Sequence, residues 1–176
     1  MTWTAPRVDR APTPKVADER PMLEGWLDFH RQTLLLKCVG LTAEQLKTPS
    51  VEPSNLTLLG LIRHMAEVER WWFRRNASGD DLSDIYCSEE SPDGDFDDVA
   101  PADAAADFAT YEREIELARS AIAGRSLDDT FQRRRRDGTT ETFNARWVYV
   151  HMIEEYARHN GHADLIRERI DGTTGA

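Results

Sequence analysis

Glu155 and His159 stand four residues apart in VYVHMIEEYARHNGHADLIRERIDG, a segment whose apolar residues Val148, Met152, Ala163, Ile166 and Ile170 recur in steps of three and four. That period puts side chains on one helical face. Four residues rise about 6 Å along a helix, so both side chains can reach one point beside it. The same spacing places a carboxylate where a core should be, which is costly unless the charge is paired or bound to a cation. His64 supplies a third group: it lies one turn from Leu61 and from Val68 within the apolar face of LTLLGLIRHMAEVERWWF. Two imidazoles and a carboxylate suit zinc, and nickel or iron accepts the same donors. Three protein ligands leave one position open to water or substrate, as in catalytic sites. ExxxH pairs arise often by chance and a single histidine on an apolar face is more often a core residue, so spacing alone leaves both readings standing.

Two further histidines lie near the same face. His151 is one turn before Glu155, and His162 is three residues after His159. Either could close the site as a fourth ligand. The preferred roles are catalytic ones, orienting ligands or moving protons, which keep the site open. His30 has no partner in the sequence and reads as an ordinary surface or core histidine. Cys38 and Cys87 are the only cysteines, lack CxxC spacing and read as idle thiols in a reducing compartment.

The elements that must position these groups are helical. Residues 1–17 contain Pro6, Pro12 and Pro14 and read as an extended arm. A first helix is expected over 19–38, with Met22, Leu23, Trp26, Leu27, Phe29, Thr33 and Leu34 on its apolar side and Gly40 after its end. Thr42 and Gln45 form a capping box for a short turn. A second long helix is expected over 57–76, a third over 101–123 opening at Pro101, and a fourth from an Asn144 cap to Gly172. The fold class expected is therefore all-α: a four-helix bundle over 18–172 with long connections and a short tail, 173–176. Two connections are distinctive. Residues 79–100 are strongly acidic and read as a solvated loop, without the spacing of a calcium loop. Residues 126–143 carry Arg133, Arg134, Arg135 and Arg136 followed by Asp137-Gly138, a turn dipeptide suited to joining two short extended arms. The arginines read as a solvated face, or as a source of one guanidinium reaching over the bundle mouth to an anionic substrate.

Composition narrows the function. The 176 residues are enough for one core, and 32 acidic against 22 basic side chains give a formal charge of −10. Such a surface repels phosphate backbones and anionic lipid, so neither nucleic acid nor membrane is an expected partner. No apolar run long enough to span a bilayer and no secretory leader is evident, so a cytoplasmic location is expected.

The two segments quoted above resemble the DinB-like metal-binding four-helix bundles, and the resemblance runs from the first helix to Gly172. Members of that superfamily carry one histidine on the second helix and a pair on the last. By that correspondence His64, Glu155 and His159 are the metal ligands. Glu155 departs from the pattern with histidine at both pair positions and is similar to the His, Glu, His zinc set of mycothiol-dependent maleylpyruvate isomerase. The resemblance implies zinc and a low-molecular-weight thiol cosubstrate such as mycothiol or bacillithiol. The isomerase has a further C-terminal domain that this sequence does not show, so a thiol S-transferase acting on a small electrophile, in detoxification, is expected rather than the isomerisation. Two other functions fit the same residues: a metal-dependent hydrolase with water in the open position, and a non-catalytic metal-binding stress or interaction protein, a homodimer through an exposed helical face.

Overall fold

The computed structural model describes residues 2–135 and 137–175. Its long helices are α1 (Glu19–Leu36), α3 (Leu58–Glu69), α5 (Ala104–Ile122) and α6 (Ala145–Asp171). Short helical turns α2 (Ala43–Leu46) and α4 (Gly94–Asp97) lie in the connections, and α3 continues as a π-helix, Arg70–Ser78. The chain is helix-rich, and a small two-stranded sheet stands beside the expected helical frame. Strands β1 (Thr130–Arg134) and β2 (Thr140–Asn144) pair antiparallel with Phe131 opposite Phe143. The cause is the turn at Asp137-Gly138, where Gly138 takes a left-handed φ of 85°.

Local chemistry sets the element ends. The Thr42 and Gln45 capping box forms as the sequence requires. Thr57 accepts the Gly60 amide at the start of α3, and Asn144 accepts the Trp147 amide at the start of α6. The third long helix starts later than expected. Asp103 accepts the amides of Ala105 and Ala106, so this side chain fixes the start and Pro101 lies outside.

α1 packs along α6, α3 packs along α5, and α3 also touches α6. Leu27, Leu34, Leu59, Ile62, Met65, Tyr111, Met152 and Tyr156 are among the fully buried side chains of the shared core. Trp26, placed on the apolar side of α1 by spacing, is instead 40% exposed. Within the core the Arg31 guanidinium donates to both Glu69 oxygens at 2.7 Å, and the Tyr156 hydroxyl donates to Glu69 at 2.8 Å. This ties α1, α3 and α6 together with every charge paired. Glu114 of α5, also fully buried, accepts from Arg70 at 2.7 Å and Arg74 at 2.8 Å. Burial raises its pKa, but these two cations outweigh burial and the net shift is downward. The pair of arginines thereby holds the π-helix onto α5.

The N-terminal arm is docked. Ala5 donates to the Leu41 carbonyl and accepts from Gly40, and Trp3 meets Phe108 edge-on at 5.5 Å. Among the described residues no helix is long and apolar enough to cross a membrane.

Candidate metal centre

The contact between α3 and α6 brings together the three residues singled out by spacing. One potential ligand atom from each of His64, Glu155 and His159 lies within 4.8 Å of the other two. Glu155 Oε2 and His159 Nε2 are 3.6 Å apart, close to the edge of a zinc tetrahedron with bonds of about 2.0–2.2 Å. The rings of His64 and His159 are 4.8 Å apart. The donor set fits a divalent ion. His159 is 9% exposed, and its pKa falls to about 4 because burial, then the neighbouring His64, His162 and Arg158, disfavour its charged form. It is thus neutral at pH 7, as a ligand imidazole must be.

His64 is oriented by a residue from the acidic connection. Asp95 Oδ2 lies 2.8 Å from His64 Nδ1. An ionised carboxylate only accepts, so Nδ1 carries the hydrogen and the lone pair falls on Nε2. The other Asp95 oxygen accepts the Phe96 amide at 3.0 Å, and the Phe96 ring stacks on His64 at 4.7 Å. Buried Arg63 fastens this turn to α3 by donating to the carbonyls of Gly94 at 2.9 Å and Asp95 at 3.1 Å. Two glycines permit the approach. A Cβ on Gly60 would lie 3.1 Å from the Phe96 ring, and one on Gly94 would lie 2.5 Å from the Tyr86 carbonyl oxygen.

His151 and His162 occupy different positions. His151 Nε2 is 3.6 Å from Glu155 Oε1, at the outer side of the cluster, and burial lowers its pKa. His162 Nδ1 is 3.4 Å from His159 Nδ1, on the nitrogen opposite the one facing Glu155. A second group, His151, Glu154 and Glu155, also has ligand spacing, but Glu154 is exposed and paired with Arg158. His30 lies elsewhere, with its Nδ1 3.3 Å from Asn160 Nδ2.

A model of the mycothiol-S-transferase family matches residues 22–172, from the first turn of α1 to the glycine that ends α6. The chain belongs to the mycothiol-S-transferase family. No curated protein and no solved structure matches it. Membership suggests a thiol S-transferase role, and the residues that surround the cluster in this mycothiol-S-transferase family member include several that the sequence did not single out.

Asp95 is the principal one. The expectation of a solvated loop over 79–100 fails at this point, because Gly94 and Asp95 are buried against α3. Among nine acidic residues in that stretch, only the Gly-Asp-Phe turn offered a signal, and nothing in the sequence tied it to His64. Glu67 was also unmarked: it accepts the amides of Ile85, Tyr86 and Cys87, which holds the connection beside the site. A cleft of about 290 Å³ between this connection and α3 is lined by His64, Trp71, Trp72, Cys87, Asp95 and Phe96. The arginine run is split. Arg133 is half-buried with its guanidinium 5.3 Å from the Trp72 ring, Arg134 and Arg135 are exposed, and Arg136 lies outside the described residues.

Proposed function

We propose that this chain is a metal-dependent thiol S-transferase, in which His64, Glu155 and His159 hold one divalent ion, zinc by its donor set, and a low-molecular-weight thiol such as mycothiol is joined to a small electrophile. Residues 18–172 are read as one catalytic four-helix bundle, with 1–17 an arm and 173–176 a tail. The observation that carries the proposal is the convergence of two imidazoles and one carboxylate, His64 with its Nδ1 committed to Asp95, in a member of a thiol transferase family.

A divalent ion at this site supplies Lewis acidity that lets a thiol exist as thiolate at neutral pH. The chain's own sulfurs are unsuited to the role: burial pushes the Cys38 thiol up to about 12 and the Cys87 thiol up to about 11. The nucleophile is therefore brought in with the cosubstrate. His151, kept neutral by burial and 3.6 Å from Glu155, accepts the thiol proton. The sulfur lone pair forms the new S–C bond, and the leaving group departs with its electron pair and takes up the proton. His162, behind the His159 ring, orients that ligand rather than meeting substrate.

The test is consumption of mycothiol in the presence of a bromobimane. Zinc-loaded protein should accelerate it, while chelator-treated protein and the Glu155→Ala variant should not. Absence of turnover with both mycothiol and bacillithiol would refute the reading. The hydrolase alternative would instead show turnover of esters or lactones without added thiol.

A further inference from the structure

A two-substrate transferase needs a second subsite, and a second cleft adjoins the cluster. It measures about 540 Å³ and lies between the β1–β2 hairpin, the π-helix and the start of α6, with Trp72, Arg133, Arg135, Glu141, Phe143 and Trp147 on its walls. Its walls reach the candidate metal centre through His151. Trp147 stacks on His151 with ring centroids 4.8 Å apart and planes 13° apart, and Trp72 meets the same imidazole edge-on at 4.6 Å. His151 in turn reaches Glu155.

The lining is aromatic and cationic. Trp72 lies 5.5 Å from Phe143 and 5.1 Å from Trp147, while Trp147 remains 45% exposed. The π-helical backbone sets Trp72 here: the Asn76 side chain donates to the Trp71 carbonyl at 2.6 Å, supporting the wider turn. Arg133 and Arg135 both pair with the single carboxylate of Glu141, one guanidinium on each oxygen. The charged groups lining this cleft among the described residues therefore leave one positive charge over, in a chain whose formal charge is −10. The cleft on the other side of Trp72 has the opposite character, with Glu67, Asp84, Asp93 and Asp95 and, among the described residues, no lysine or arginine on its walls.

Resting on the thiol-transfer reading, we infer that the hairpin cleft is the electrophile subsite, and that it takes planar conjugated or aromatic electrophiles bearing a carboxylate or similar anionic group. The flat part of such a molecule stacks among Trp72, Phe143 and Trp147. Its anion meets the guanidinium pair, which binds a carboxylate by charge-assisted hydrogen bonds. The acidic cleft repels the same molecule, which directs the electrophile to the hairpin side of Trp72.

Binding is measured without thiol or added metal, by quenching of tryptophan fluorescence with 4-nitrobenzoate and its neutral isostere 4-nitrobenzamide. The benzoate should bind about tenfold more tightly at low salt, as one retained ionic contact allows. Added salt should shrink that preference. Arg133→Met should remove the preference while leaving amide binding in place, and Trp147→Ala should weaken both ligands. Arg135→Gln provides a second charge variant should Arg133→Met alter the melting temperature. Equal affinity for the two ligands, or no binding of either, overturns the inference even where thiol transfer to a bimane proceeds. Selective benzoate binding with no transfer to any electrophile would instead sink the thiol-transfer reading alone.

Discussion

Replacing Asp95 by Asn changes one atom and separates orientation from packing. In the native protein one Asp95 oxygen accepts from His64 Nδ1 at 2.8 Å and the other from the Phe96 amide at 3.0 Å. An asparagine cannot satisfy both. With its oxygen toward His64, its amide nitrogen faces the Phe96 N–H, donor against donor. Flipped, it donates to His64 Nδ1 and moves the imidazole hydrogen to Nε2, the nitrogen that the proposed metal ion would need. The site is buried, Asp95 being 4% exposed, so water does not relieve either conflict. Loss of an orienting carboxylate of this kind costs about 10- to 100-fold in metal affinity, or roughly 1.4–2.7 kcal/mol. Competition of the protein with a chromophoric chelator for zinc measures this directly, with a thermal melt to confirm folding. A folded Asp95→Asn protein with unchanged zinc affinity would refute the assignment of Asp95 as the residue that orients His64.

Other outcomes follow from the same contacts. In metal-free protein His159 titrates near 4, below the value of about 6.5 in an unfolded chain, so the unfolded state binds the extra proton between them. Stability of the metal-free form should be whole above about pH 6.5 and decline by about 3 kcal/mol as the pH falls through about 4; urea titrations that show the same decline in His159→Asn would contradict this. Glu69→Ala leaves buried Arg31 with only the partly exposed Asp28 carboxylate, 2.9 Å away, as a charged partner and should destabilise by up to about 3–5 kcal/mol, read from chemical denaturation; a loss under 1 kcal/mol, roughly the worth of an exposed pair, would be inconsistent with this network. Gly94→Ala sets a methyl group against the Tyr86 carbonyl and should cost about 1–3 kcal/mol while lowering zinc affinity with it, because Asp95 is the next residue. Unchanged melting temperature and unchanged zinc affinity together would show that the turn does not depend on this close approach.

Much of the frame was legible because it is local. Steps of three and four residues marked the first and last long helices and a broad apolar face marked the second, while Asn144 and Gly172 marked the two ends of the last and Thr42 the start of the short turn α2. The meeting of His64 with Glu155 and His159 was legible because each sits on an apolar face, and apolar faces must turn toward one another. What escaped was non-local. Asp95 looks like any other acid in a stretch of acids, and only its burial under Arg63, more than thirty positions earlier, separates it from its neighbours. The fastening of Glu67 to three successive amides is invisible for the same reason. The π-helix begins where a regular α-helix was expected to continue, since Arg70 and Arg74 answer to Glu114 on another helix. The hairpin was foreshadowed by Asp137-Gly138, but the contact of Arg133 with Trp72 depends on how that hairpin lies against the π-helix.

His64, Glu155 and His159 are proposed to hold a metal ion with a position left for a thiol. Cobalt substitution followed by titration with mycothiol tests it most directly, since sulfur bound to cobalt gives a charge-transfer absorption that oxygen and nitrogen ligands do not. One equivalent of cobalt per chain is predicted, with that absorption appearing on addition of mycothiol and absent in Glu155→Ala. Stoichiometric cobalt binding without a sulfur signal, or a sulfur signal that survives loss of Glu155, would contradict it.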